Sequence, residues 1–363
     1  MSIMIPEISD IAVGEEISAI DRIVGGYKTY QVLHAALSLG LFDWLDEHGL
    51  ATREEIGSAL SINGMFTRSL FQTLVELGLL VQKDDRFANT TTAGRLLVKR
   101  SAAYQGDWIL NASDDQGPWS NLSDTLALSS PKNTGFSAGP GPQFLRALAE
   151  RTIRGEVQDV TTILTAWDGF DSATKLLDIG GGHGLYAIAA CQKNPKLHAV
   201  VFDKPHVTGI TEEFIRAYGM EDRITVRGGD IVTDDPGSGY DIVMISHLLY
   251  KFRADLPAIF GKVAAGLRPK GLFVSNHWFC GPVCGEGSAG ICELDRSIHS
   301  YGHPLCHPED FASGMFSKGL VVTKKTTVRS NFGESHIHVA EKVPEHKGPV
   351  PEYNGSCGCE SCR

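Results

Sequence analysis

The stretch LLDIGGGHG, residues 176–184, runs from an apolar segment straight into a glycine-rich turn, and LYAIAACQK continues it at helical spacing. A strand, a glycine turn and a helix in that order bring a ligand against the carboxyl end of the strand. Without Cβ atoms the backbone can approach the ligand closely. Outward from this stretch the pattern repeats. KLLDIGG, HAVVFD, ITVRGGD, YDIVMIS and KGLFVSN are short apolar runs bounded by turns, with helical segments between them. Strands alternating with helices predict a Rossmann-like α/β domain, a mostly parallel sheet with crossover helices, from residue 171 onward.

A glycine turn alone does not choose the ligand, because dinucleotide-binding enzymes share it. Three carboxylates do more. Asp178 stands just before the turn, where it would repel a pyrophosphate and accept from an ammonium. Asp203 ends the next strand, placed to accept from ribose hydroxyls. Asp230, in GGDI after the third strand, is placed to meet an adenine amino group. Anionic side chains around a cationic amino-acid nucleoside fit S-adenosyl-L-methionine better than a dinucleotide.

Upstream, YKTYQVLHAALSLGLFDWL, ATREEIGSAL and TRSLFQTLVELGLL read as helices. Thr52 is placed to cap the second, and VQKDDRFANT forms a wing after the third. This is a winged-helix pattern, yet residues 67–78 carry only Arg68 and Glu76 as formal charges. An apolar helix at the recognition position suits packing against a second chain better than a DNA groove. The net charge of −10, from 43 acidic and 33 basic residues, also argues against nucleic acid as the main partner. No apolar run reaches the roughly 20 residues of a membrane span. MSIMIPEISD lacks the features of a signal peptide, so the expectation is a cytoplasmic protein without membrane attachment. In that compartment the eight cysteines are read as free thiols. Cys191 is a small core residue, and the terminal Cys357, Cys359 and Cys362 are not assigned a metal. The segment QFLRALAERTIRGEVQDVTTIL reads as one helix linking the two domains.

Taken together, LLDIGGGHG, VVFDKPHV and RGGDI resemble the class I S-adenosylmethionine-dependent methyltransferases. More narrowly, they resemble the plant and microbial small-molecule O-methyltransferases of the caffeate and acetylserotonin type, over residues 20–341. The resemblance implies a mainly helical winged-helix dimerisation domain (1–100) and a homodimer. It implies a helical linker contributing to the substrate pocket (101–170), a catalytic domain (171–342) and a Cys-containing tail (343–363). By carry-over, Gly180, Gly181, Gly182 and Gly184 with Asp178 line the methionine end of the cofactor. Asp203 and Lys204 serve the ribose, and Gly229, Asp230 and Ile231 the adenine; Ser246, at the end of the fourth strand, completes the set.

The acceptor side departs from the family. Its usual L-H-D-W, with histidine as general base, becomes Leu249, Tyr250, Lys251 and Phe252. The supporting glutamate of its G-G-x-E-R segment is replaced by Leu305. His247, three residues before Tyr250, is the candidate displaced base, and Tyr250 is expected to orient the substrate. A hydroxyl acceptor needs a base tuned near neutrality, and a tyrosine with a pKa of about 10 is a poor one. A thioether has no proton to lose. The expectation therefore leans to S-methylation of a thioether or thiol acid such as 4-methylthio-2-hydroxybutyrate, on the route to dimethylsulfoniopropionate. The alternatives are O-methylation with His247 as base, metal-assisted C-methylation of a keto acid using His247, His299 or His303 and Glu293, and a non-catalytic cofactor sensor. Trp108, Trp119, Arg146, Tyr250, His277, Trp278, Arg296 and His299 are the candidate substrate contacts, with Arg151, Arg154 and Lys251 as further cations for a carboxylate.

Overall fold

A computed structural model describes residues 14–115, 117–127, 140–280, 290–300, 302, 304–305, 307–330 and 333–343. Cys284, Cys306, His303 and the three tail cysteines lie outside the described residues. The chain divides into two compact units between Asp114 and Asp115.

The first unit runs α1 (Ile17–Ser38), α2 (Leu41–His48), β1 (Ala51–Thr52), α3 (Arg53–Ala59), α4 (Gly64–Glu76), β2 (Leu80–Lys83), β3 (Arg86–Asn89), α5 (Thr91–Leu96) and α6 (Gly106–Asn111). Thr52 caps α3 as its sequence predicts. Its hydroxyl accepts from the Glu55 N–H at 3.2 Å, and the Glu55 carboxylate accepts from the Thr52 N–H at 2.7 Å. The strands β1, β3 and β2 make a small antiparallel wing. In α4 the inward face, Phe71 and Leu74, is fully buried in a core with Leu41, Phe42, Ile56 and Phe87. Met65 and Phe66 on α4 and Ile20, Ile23 and Tyr27 on α1 stay exposed within this unit.

The second unit contains α7 (Leu122–Leu126), α8 (Pro142–Thr152), α9 (Glu156–Thr165), β4 (Lys175–Ile179), α10 (Leu185–Lys193), β5 (His198–Asp203), α11 (Thr208–Ala217), β6 (Ile224–Gly228), β7 (Tyr240–Ser246), α12 (Leu256–Gly266), β8 (Leu267–His277), α13 (Gly290–His299), α14 (Pro308–Phe316), β9 (Leu320–Ser330) and β10 (Gly333–Lys342). The sheet order is β6-β5-β4-β7-β8-β10-β9. The strands from β4 to β8 pair in parallel, and β10 pairs antiparallel with both β8 and β9. Two apolar layers sandwich the sheet. One sets Leu164 of α9 and Leu185 and Ile188 of α10 against one face; the other sets Phe260 of α12 and Phe311 and Met315 of α14 against the opposite face. Cys191 is fully buried in the first layer, and burial pushes its thiol up to about 11, as suits a core residue.

The chain steps outward from β4 to β5 and β6, then returns to place β7 on the other side of β4. Strand order reverses there, and ligands of open α/β sheets bind outside the carboxyl ends at such a point. LLDIGGGHG occupies it.

One expected helix is divided. Residues 143–164 break at Gly155, whose φ of +135° no helix accommodates, giving α8 and α9. The break makes Glu156 the first residue of α9.

Candidate active site

The turn after β4 depends on glycine conformations. Gly180 has φ +67°, and a Cβ there would come within 2.6 Å of the Leu248 side chain. At Gly181 a Cβ would meet Asp178 Oδ2 at 2.6 Å and Val201 at 2.8 Å. Gly180→Val places a β-branched side chain in the left-handed region, a strain of about 1–3 kcal/mol. The expected result is a thermal midpoint lower by several degrees and cofactor affinity reduced at least tenfold by equilibrium titration; unchanged affinity would show that the turn does not contact the cofactor.

Under this turn lies Asp178, 1% exposed, with both carboxylate oxygens buried and without a hydrogen-bond partner. Burial first, then the neighbouring charge of Asp203, raises its pKa to about 7. An unpartnered buried carboxylate calls for a cationic ligand group. The residues fit the ammonium of S-adenosylmethionine. Asp203 is pinned: its Oδ2 accepts from the Gly182 N–H at 2.9 Å and its Oδ1 from the Lys204 N–H at 2.7 Å. Burial raises its pKa against these bonds. Asp230 accepts from the Val232 N–H at 2.9 Å and pairs with Lys204 Nζ at 2.5 Å; that bond to Lys204 is the main reason its pKa is lowered. Ile231 is buried beside it, and the Gly229 N–H donates to the Asp203 carbonyl at 2.9 Å. The structure thus brings the sequence-predicted acids together at the carboxyl ends of β4, β5 and β6, Asp178 beside Asp203 and Lys204 next to both Asp203 and Asp230. His183, within the motif, braces the turn. Its Nδ1 accepts from the Leu185 N–H at 3.1 Å and its Nε2 lies 3.2 Å from Thr152 Oγ1; burial lowers its pKa to about 4.

At the acceptor side Ser246 ends β7, opposite Asn276 of β8. His247 then turns into the left-handed region at φ +51°, and its N–H donates to the Asn276 carbonyl at 2.9 Å. Its ring is held at both ends. Nε2 lies 2.7 Å from Glu156 Oε1 and Nδ1 lies 2.8 Å from the Tyr250 hydroxyl. The Trp278 N–H donates to that hydroxyl at 2.7 Å. In the neutral ring with its proton on Nε2, Tyr250 donates to Nδ1 and Nε2–H donates to Glu156.

Glu156 Oε1 is a hub, accepting also from the Tyr186 hydroxyl at 2.7 Å and from Asn276 Nδ2 at 2.5 Å. Burial pushes its pKa up, but the charge and hydrogen bond of His247, with help from Tyr186 and Arg151, outweigh it and hold the carboxyl at about 2. Nothing in the residue pattern marked Glu156, Tyr186 or Asn276. The available signal is Gly155, a residue that commonly interrupts helices.

The other expected contacts divide. Trp278 stacks on Tyr250 with an interplanar angle of 17°, and the Arg151 guanidinium lies 5.0 Å from its ring centroid. Asp295 gathers Trp119 Nε1 at 2.9 Å, His299 Nδ1 at 3.4 Å and Arg151 at 3.8 Å. Trp119, Trp278, His299 and Arg151 therefore belong to one network.

Five expected contacts need correction. Tyr250 is 2% exposed and its hydroxyl is already used, so it orients His247 and Trp278 rather than a substrate. His277 is fully buried, with Nδ1 on Ser275 Oγ at 2.9 Å and Nε2 accepting from the Leu249 N–H at 3.2 Å. It is a core histidine, its pKa pushed well below the usual value by burial. Arg146 forms a half-exposed ion pair with Glu213 at 2.6 Å, and Arg296 is buried against Glu293. Trp108 packs on the core of the first unit. His303 lies outside the described residues; the other members of the metal set have separate partners, His247 with Glu156, His299 with Asp295 and Glu293 with Arg296. Among the described residues no three His, Cys, Asp or Glu side chains form a metal-ligating group.

Fold and cofactor crevice together define a class I S-adenosylmethionine-dependent methyltransferase. Residues 141–275 match the O-methyltransferase domain and residues 22–100 the O-methyltransferase dimerisation domain. The chain is 32% identical over 241 residues to the N,N-dimethyltransferase OxyT of Streptomyces rimosus, covering 63% of this chain and 68% of that protein. It is 28% identical over 240 residues to the L-tyrosine C(3)-methyltransferase of Streptomyces lavendulae, covering 62% and 65%. Human N-acetylserotonin methyltransferase, solved in complex with SAM, shares the fold with a TM-score of 0.71 at 18% identity, over 92% of this chain and 99% of that one. The chain belongs to the O-methyltransferase family with an N-terminal dimerisation domain, and its cofactor is S-adenosylmethionine. No helix among the described residues is long and apolar enough to cross a membrane.

Proposed function

We propose that this small-molecule methyltransferase acts on an atom that attacks with its own lone pair and loses no proton beforehand: a thioether sulfur, as in 4-methylthio-2-hydroxybutyrate, or a weakly basic nitrogen. When bound, the cofactor supplies an electrophilic methyl group on a sulfonium. The residues of this chain then have to align the acceptor and exclude water.

One observation carries the reading. The histidine of the family motif is replaced by a buried tyrosine, and both nitrogens of the neighbouring His247 are held within the protein. Burial raises the Tyr250 pKa well above 10, so it is no base near neutrality. The relative named as an N,N-dimethyltransferase supports the nitrogen arm; the sulfur arm rests on the missing base.

A second reading, O-methylation with His247 as base, is favoured by its bond to Glu156, since a carboxylate-oriented imidazole is a common base. It requires Tyr250 to release Nδ1.

Labelled-methyl transfer against thioethers, thiols, aryl amines, phenols and keto acids separates the two. Thioether or amine turnover is expected, with kcat kept within about tenfold in His247→Ala, because general-base catalysis is worth about 10²–10⁴-fold. Turnover of phenols alone, abolished in that variant, would establish the second reading.

A further inference from the structure

We propose that Glu156 is the counter-charge of the acceptor site, selecting acceptors that become cationic on methylation: thioethers that yield sulfoniums and tertiary or heteroaromatic amines that yield quaternary ammoniums. The inference rests on base-free transfer and narrows its substrate class.

Three hydrogen bonds converge on Oε1 of this carboxylate. None reaches Oε2. The side chain is 15% exposed, and among the described residues Oε2 is not one of the sealed, unpartnered polar atoms. The donors come from the first turn of the helix after the glycine turn (Tyr186), from the end of β7 (His247) and from the end of β8 (Asn276). Glu156 therefore stands beside the ligand crevice, between the cofactor turn and the residues that replace the family's base. A structural role would be met by Oε1 alone, and it leaves a charged oxygen open.

The groups around it engage the other oxygen: His247 Nε2 lies against Oε1 at 2.7 Å. Arg151, on α8, stands between Glu156 and a second carboxylate, Asp295. Asp178 and Asp203 add no cation from the cofactor side. Arg151 is thus shared between two carboxylates.

This charge suits the reaction's bookkeeping of electrons. The acceptor's lone pair forms the new bond to carbon, and the old carbon–sulfur bond breaks with its electron pair going to the cofactor sulfur. Positive charge moves onto the acceptor and no proton is transferred. A fixed anion at the acceptor end favours the charge where it arrives. The same anion gives a phenolate no help, since that attack ends on a neutral ether.

The test is equilibrium binding, independent of turnover. Calorimetric titration of the full-length protein saturated with S-adenosylhomocysteine compares choline with its neutral isostere 3,3-dimethylbutan-1-ol. The wild type is expected to bind choline at least tenfold tighter. Glu156→Gln should erase that preference and leave S-adenosylhomocysteine affinity within about twofold. Equal binding of the pair by the wild type, or a preference that survives in Glu156→Gln, overturns the proposal. If Glu156→Gln does not fold, the wild-type comparison and Glu156→Asp, expected to keep the preference, decide it. Thioether or amine turnover without a choline preference would refute this inference alone. Phenol-only turnover dependent on His247 would refute the underlying reading.

Discussion

Asp178→Asn is expected to change cofactor binding and stability in opposite directions. The variant should bind S-adenosylmethionine at least tenfold more weakly, because the buried carboxylate that answers the ligand's positive charge is gone. Without cofactor it should gain stability relative to the wild type as pH rises. The sign follows from the direction of the shift. The carboxyl has a pKa of about 7 in the folded chain against an ordinary value of 3.8. A raised carboxyl contributes fully below about pH 4 and loses that contribution as pH climbs through about 7. Three pKa steps correspond to about 4 kcal/mol. The unpartnered amide of the variant offsets about 1–3 kcal/mol of this, so the net gain at pH 8 is a few degrees in thermal midpoint.

His183 and His338, both lowered to about 4 by burial, act in the opposite sense. They hold their contribution above about pH 6.5 and lose it as pH falls toward 4. Because both proteins carry them, the difference between variant and wild-type midpoints between pH 5 and 8 isolates Asp178. A flat difference curve, or unchanged affinity for the cofactor, would refute the assignment. The wild type should also release protons when the cofactor binds near pH 6, read from titrations in buffers of different ionisation enthalpy.

The cofactor half of the site was legible because its determinants are local. A strand, a glycine turn and a helix fit within 176–193, and each acid sits at a strand end that alternating apolar runs locate on their own. The acceptor half was not legible, because its geometry is set over long distances in sequence. Glu156 lies 91 residues from His247, and it opens α9 after the chain breaks between Thr152 and Glu156. Tyr250 stands where the family's base would be, and a phenol with an ordinary pKa of about 10 is a poor base near neutrality. Its burial was hidden, since it follows from Trp278 stacking on the ring and donating a backbone N–H to the hydroxyl. His277 looked like a site residue for a similar reason: it ends a strand beside His247, yet the 3-10 turn at 249–255 closes over it and uses its ring nitrogen. Leu305, in place of the supporting glutamate, was visible as a loss. Its buried bridge to Phe279 shows that the position now serves packing.

Tyr250→Phe should separate stability from catalysis. The change removes one oxygen that accepts from the Trp278 N–H at 2.7 Å and lies 2.8 Å from His247 Nδ1. A buried N–H left without an acceptor costs about 1–3 kcal/mol, a midpoint lower by roughly 2–12 °C for a unit of this size. If Tyr250 transferred a proton or held the substrate, kcat would fall by the 10²–10⁴-fold typical of such a group. Because its hydroxyl is enclosed, kcat on a thioether or amine acceptor should stay within about tenfold once corrected for folded protein. Phenols give the opposite expectation. Freeing Nδ1 leaves a histidine still oriented by Glu156 and now able to accept a proton, so phenol methylation should rise in Tyr250→Phe and disappear in the double variant with His247→Ala. A kcat that collapses for every acceptor while the fold remains intact would place Tyr250 in the chemistry. Retained turnover with a new, His247-dependent phenol activity would identify the tyrosine as the residue that keeps this site's histidine from acting as a base.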